Sequence, residues 1–222
     1  MNNFVALSFL KLTDSNYKRN NIILLRLAKK NLENFQSEFK KFTQNIDKQA
    51  SSDPMKYDIE LAEVLTIDGV FLNSIFISIF TNFENLIFKL ARIVEVRTSS
   101  AIKIEDIRGN GYIDQYRKFM HLVGKIQSAE KNEIWEEIDI YKLVRNKLVH
   151  DGGYLHSSTK SRIEDRKEFQ YLEANKVPIG SSGRIKIREI YILEKFSGLT
   201  NNLLDRLKKD IESFFMQMQD EV

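Results

Sequence analysis

Cysteine is absent from the 222 residues. That excludes disulfide scaffolds, Cys-ligated zinc, iron–sulfur clusters and cysteine nucleophiles together. A chain without thiols suits a reducing compartment, so a cytoplasmic location is expected. Histidine is nearly as scarce. His121, His150 and His156 are the three present, too few to favour a metal site built on imidazole, and no cofactor is expected. With 2 Pro and 9 Gly, the chain is neither collagen-like nor Pro-rich and disordered. No glycine-rich phosphate loop is present, because Gly109-Asn110-Gly111 is too short and lacks a following Lys-Ser/Thr. A Gly-x-Ser-x-Gly elbow, an H-E-x-x-H pair and an EF-hand loop are also missing. Nor does one sign of charge dominate. The formal net charge is +3, too mild by itself to announce a nucleic-acid binder.

Export and membrane signals are weak. The apolar run Phe4–Leu10 has no basic residue before Lys11 and no small-residue cleavage site, so it does not read as a signal peptide. The most apolar stretch, Val70–Val94, carries Asn73, Asn82, Glu84, Asn85, Lys89 and Arg92. A lipid-spanning helix seldom holds so many polar groups, so a buried core helix is expected and no membrane partner.

What is present is helical periodicity. Apolar residues 42% of the chain and charged residues 29% fit a globular chain, and its length suits a single domain over residues 1–222. Leu25, Ala28, Leu32, Phe35, Phe39, Phe42 and Ile46 recur at steps of three and four. They predict an N-terminal amphipathic helix over about 17–47, either covering a core or forming a coiled-coil-like seam. Core helices are expected over about 58–150. One runs from Asp58 to Arg97, one from Ile113 to Ile126, and one from Asn132 to His150 with Gly152-Gly153 as its stop signal. Partial alternation in Phe169–Ala174 and Arg184–Ile192, around Pro178 and Gly180–Gly183, predicts a small β-hairpin over about 169–192. A C-terminal helix over about 194–219 carries Leu203, Leu204, Leu207, Ile211, Phe214 and Phe215 on one side. The fold class expected is therefore mainly α, with one hairpin before the last helix.

Two charges sit awkwardly in this pattern. At about 100° per residue, Ile134, Ile138, Tyr141, Val144 and Leu148 form one core face, and Arg145 falls in the middle of it. A guanidinium aimed into a core needs a partner. Glu84, set in the apolar run Phe76–Phe88, needs one too. The economical expectation is that Arg145 and Glu84 meet. Such a pair reads either as a buried bridge that fixes helix register or as part of a site. His150 closes the same helix, and Asn146, four residues earlier, shares its face. A histidine at a helix C-terminus is also a favourable dipole partner.

The segment Val144-Arg145-Asn146-Lys147-Leu148-Val149-His150-Asp151-Gly152-Gly153 resembles the R-N-x-x-x-H signature of the HEPN (higher eukaryotes and prokaryotes nucleotide-binding) superfamily. The apolar helix with Glu84-Asn85, the glycine pair and the final amphipathic helix agree with it, so the likeness covers roughly residues 57–219. The resemblance implies a bundle of four to five helices, usually dimeric. It also implies a metal-independent endoribonuclease of phage-defence or toxin–antitoxin systems. Carried over, Arg145 and His150 are the catalytic pair, and Asn146 shapes the site. One subgroup has Tyr two residues after the His, the target of a nucleotidyltransferase antitoxin; here that position is Gly152 and the nearest tyrosine is Tyr154.

The residue types suit RNA cleavage. Imidazole exchanges protons near neutral pH, and arginine forks onto phosphate oxygens. A two-fold dimer would place two of each in one cleft, with Glu84 orienting Arg145. From Lys160 to Arg188 eight basic residues face four acidic ones, a grip for phosphate or a solvated loop. Lys147, Tyr154, His156, Lys160 and Arg162 are the RNA-binding candidates, the two aromatic ones by stacking on bases. The partners expected are RNA, a second copy and an antitoxin or defence protein. The alternative is a non-catalytic HEPN-like module that binds RNA, a nucleotide or a protein through the same cleft.

Overall fold

Buried residues at helical spacing begin well before Leu25. Ala6, Leu10, Tyr17 and Ala28 are all buried and share one face, so the first helix, α1, spans Asn3–Gln44 and starts ahead of the expected residue 17. The computed structural model describes residues 3–44, 54–98, 100–155, 162–175, 179, 183–185, 187 and 190–220. Among these, five further α-helices follow: α2 Pro54–Thr98, α3 Tyr112–Leu122, α4 Glu133–His150, α5 Lys167–Ala174 and α6 Tyr191–Asp220. Single 3-10 turns at Ile104–Asp106, Gln127–Ala129 and Ile163–Asp165 lie between them. The mainly helical expectation holds.

The hairpin does not. Residues 167–174 are helical. Leu172 and Glu168, four apart, are both buried, which is a helix period rather than a strand period. The other half of the expected hairpin pairs differently. Arg184 forms an antiparallel bridge with Tyr154, and Ile185 one with Ile179; among the described residues these isolated bridges are the whole of the β structure. The chain is helical again from Tyr191.

Helix boundaries follow local chemistry. Asn132 caps α4: its Oδ1 accepts from the backbone N–H of Ile134 at 3.0 Å and of Trp135 at 3.4 Å. α3 ends four residues short of the expected Ile126. A Cβ at Gly124 would lie 2.8 Å from the Met120 carbonyl oxygen, and Lys125 takes φ 56°, so the chain turns sharply there.

The chain forms two compact units. The first takes residues 1–22, 79–139 and 195–222. Its core is aromatic: Phe80 stacks on Phe196 at 5.4 Å, and Phe83 meets Phe196 edge-on at 5.9 Å and Trp135 at 6.5 Å. Polar groups are threaded through it. The Tyr17 hydroxyl donates to Thr200 Oγ1 at 2.6 Å, and Asn82 Nδ2 donates to Asn21 Oδ1 at 2.8 Å. Burial pushes the Tyr17 hydroxyl up to about 12, against the opposing hydrogen bonds from Thr200 and Asn21.

Carboxylates tie the same unit together. Burial raises the Asp14 carboxyl, but Lys208 at 2.9 Å and Lys18 at 3.1 Å outweigh it and hold it below the usual range. Glu95 follows the same logic. Burial is overcome by the Ile104 N–H at 2.9 Å and by the Arg92 guanidinium, and the carboxyl ends low. Asp114 is lowered furthest; the Asn110 N–H, Arg117 and Lys118 together overcome its burial.

The second unit takes residues 23–78 and 140–194. Phe76 of α2 lies 6.1 Å from the Tyr141 ring of α4, and Tyr171 of α5 donates its hydroxyl to that of Tyr141 at 2.8 Å. Asn73 Oδ1 accepts from the Ile187 N–H at 3.4 Å. Lys29 and Glu194 pair at 2.8 Å. Gly69–Thr98 has the length and hydropathy of a membrane span, with 44% of its most apolar window buried. Asn73 and Asn82 on that helix both hydrogen-bond within the fold.

Candidate nucleic-acid site on α4

The last three turns of α4 carry the motif. Tyr141 and Val144 are buried, and they fix which side of the helix points inward. Arg145, adjacent to that stripe, is half-buried. Its Nη1 donates to Asn146 Oδ1 at 3.0 Å, while its Nε is buried. His150, one turn beyond Asn146 on the same face, is exposed in the last helical turn. Asn146 and His150 therefore share one helical face, and Arg145, about 140° round the helix from His150, is tied to that face through its hydrogen bond to Asn146.

Lys147 is engaged: its Nζ lies 2.7 Å from Asp151 Oδ2. Glu84 sits half-buried on α2 in the first unit, where its charge is one of those acting on the Tyr116 hydroxyl. Arg145 belongs to the second unit. Arg162 is exposed just before the 3-10 turn, and its backbone N–H donates to Asp165 Oδ2 at 3.3 Å. His156 and Lys160 lie outside the described residues.

Behind the motif the chain reverses through two left-handed glycines, Gly152 at φ 58° and Gly153 at φ 86°, a conformation that side chains with a Cβ disfavour. The turn folds back on the helix: the Lys147 carbonyl accepts the N–H of both Asp151 at 3.1 Å and Gly153 at 2.8 Å. This is the helix stop expected from the glycine pair. Residues 183–185 then lie alongside. The Leu155 N–H donates to Gly183 O and the Ile185 N–H to Gly153 O, both at 2.8 Å.

The basic run from Lys160 to Arg188 looks different once folded. Of its four described basic residues, Arg162 and Lys167 are exposed. Arg166 lies 3.6 Å from Glu168. Arg184 donates from Nε to Gly152 O at 3.1 Å, and its guanidinium carbon lies 5.4 Å from the centre of the Tyr154 ring. One face of Tyr154 is thus covered by Arg184. The sequence marked Arg184 only as one of eight basic residues; no periodicity or motif flags a contact between residues this far apart in the chain. Among the described residues no group of three or more His, Asp or Glu side chains is placed to hold a metal ion.

Comparison of the chain with protein-family models, with curated proteins and with solved structures finds no match.

Proposed function

We propose that this chain is a metal-independent endoribonuclease of the HEPN type, acting in phage defence or a toxin–antitoxin system in the cytoplasm. The observation that carries the reading is the Arg145–Asn146 hydrogen bond. It ties a permanent cation to Asn146, the residue one turn before the exposed imidazole in a helical motif of the R-N-x-x-x-H form. Arginine there neutralises a phosphate and the extra charge of a phosphorane. Imidazole moves the protons.

The reaction follows from those two groups. His150 takes the proton of a ribose 2′-hydroxyl. The 2′-oxygen attacks the adjacent phosphorus, a P–O2′ bond forms and the P–O5′ bond breaks. A proton delivered to the departing 5′-oxygen completes the step, leaving a 2′,3′-cyclic phosphate and a 5′-hydroxyl. One imidazole cannot serve both ends at once, so a two-fold dimer joined near α4 supplies the acid as His150 of the partner subunit. Asn146 orients the arginine in this scheme, and Arg162 and Tyr154 contact the RNA. DNA lacks the nucleophile and survives.

The test is His150→Ala against the wild type on total RNA, in EDTA. The wild type yields fragments ending in cyclic phosphate. The variant loses cleavage by about a hundredfold or more while melting at the same temperature, because the side chain is exposed. RNA that is bound but left intact by both proteins makes the chain a non-catalytic module; cleavage that vanishes in EDTA ends the metal-free scheme.

A further inference from the structure

We infer that Arg184 is the positioning residue of this site, holding the Gly152-Gly153 turn and through it the last turn of α4 that carries His150. The inference rests on the nuclease reading for its catalytic consequence, but its structural basis is independent of it.

A helix C-terminus frays unless its carbonyls are met. Here the end that presents His150 is followed by two glycines, the least restrained residues available. A side chain on such an end would sample many directions, and a proton-transfer group that wanders loses much of its rate. Four contacts made by residues 183–185 remove that freedom. Arg184 Nε donates to the Gly152 carbonyl at 3.1 Å. Its guanidinium packs on the Tyr154 ring at 5.4 Å. The backbone on either side closes the bridge, Leu155 N–H to Gly183 O and Ile185 N–H to Gly153 O. The turn is then pinned to α4 itself, since Gly153 also donates to the Lys147 carbonyl, three residues before His150.

The anchor behind Arg184 is firm. Ile185 and Ile187 are buried, and the Ile187 N–H reaches Asn73 on α2. Arg184 is therefore a rigidly mounted arm whose far end grips a flexible turn. Its one side chain makes both a directional hydrogen bond and a stacking contact, which a lysine cannot reproduce. The buried isoleucines and the backbone bridge do not depend on the guanidinium, so removing it loosens the turn without dissolving the fold.

The experiment compares full-length wild type, Arg184→Ala, Arg184→Lys and His150→Ala. Only three histidines occur in the chain, so the His150 imidazole signal in an NMR spectrum is assigned by its loss in His150→Ala. In Arg184→Ala that signal shifts or broadens, while the melting temperature stays within a few degrees. On a short single-stranded RNA, kcat falls about tenfold to a hundredfold with KM within about twofold, as expected for a misplaced group rather than a lost binding contact. Arg184→Lys, which keeps the charge but not the fork, also displaces the signal and supplies the readout should the alanine variant fail to fold. Imidazole signals that superpose on the wild type in both variants overturn the inference, as does a kcat loss that merely tracks a fallen melting temperature. A wild type that cleaves no RNA removes the nuclease reading and leaves the imidazole spectrum to decide the role of Arg184.

Discussion

At the scale of single residues, the glycine pair after His150 shows how local conformation limits sequence. Gly153 takes φ 86°, and a Cβ there would stand 3.3 Å from the Ile185 carbonyl oxygen. Gly153→Ala should cost about 1–2 kcal/mol in a urea titration, through left-handed strain alone. Gly152 takes φ 58° and meets nothing nearer than the Tyr154 ring at 3.8 Å, so Gly152→Asn should cost less, since asparagine tolerates that region. Tyr17 gives a second residue-scale expectation. Its hydroxyl is held near 12 in the folded chain, above its unfolded value of about 10. The stability it contributes is complete below pH 10 and is lost as pH rises toward 12. Tyr17→Phe should lower stability by about 1 kcal/mol at neutral pH and remove that part of the alkaline decline, read from melting temperatures between pH 8 and 12. The Asn132 cap and the glycine stop of α4 were legible from the chain because both act within four or so residues. The turn of the Arg145 guanidinium onto Asn146 was not, because rotamer choice leaves no trace in spacing.

At the scale of elements, α2 and α6 were legible because their apolar residues recur with a helical period over many turns. Phe80, Phe83 and Phe196 are all fully buried and mutually packed. Phe196→Ala should therefore cost about 3–5 kcal/mol by denaturant titration, being a large-to-small change in a closed core. The short α5 is a helix where local alternation predicts a strand. Eight residues give barely two turns, too few for a period to stand out from chance alternation. Leu172 is buried and Tyr171 reaches Tyr141, so tertiary contacts settled what propensity left open. The pairing of Arg184 with Tyr154 leaves no sign in local alternation, because it joins residues distant in the chain. Glu84, expected to meet Arg145, was placed by the logic that two awkward charges attract. That logic names no geometry.

At the scale of the whole chain, charge balance sets the response to acid. Asp14, Glu95 and Asp114 are each lowered in the folded state. Stability that such groups contribute is present above the unfolded carboxylate values of about 4 and is lost as pH falls through the lower folded values. Melting temperatures should therefore hold steady from pH 7 to about 5 and then drop below about pH 4. Replacing Asp114 with Asn should flatten that drop, while costing stability at neutral pH. A melting temperature unchanged between pH 6 and 3 would remove these three carboxylates as acid-sensitive ties.

The polar thread inside the first unit has a consequence for alignment. Tyr17 with Thr200, and Asn21 with Asn82, act like teeth cut for one gear position. A one-turn slip of α1, about 5.4 Å, would keep much of its grease in contact with grease. It would also strand a phenol and two amides in a dry interior, at roughly 1–3 kcal/mol for each orphaned group. Oily side chains alone would forgive such a slip, so these few polar atoms make one alignment much cheaper than its neighbours. An all-aliphatic redesign of the four positions would be expected to melt no lower and yet populate several alignments, visible as doubled amide resonances along α1.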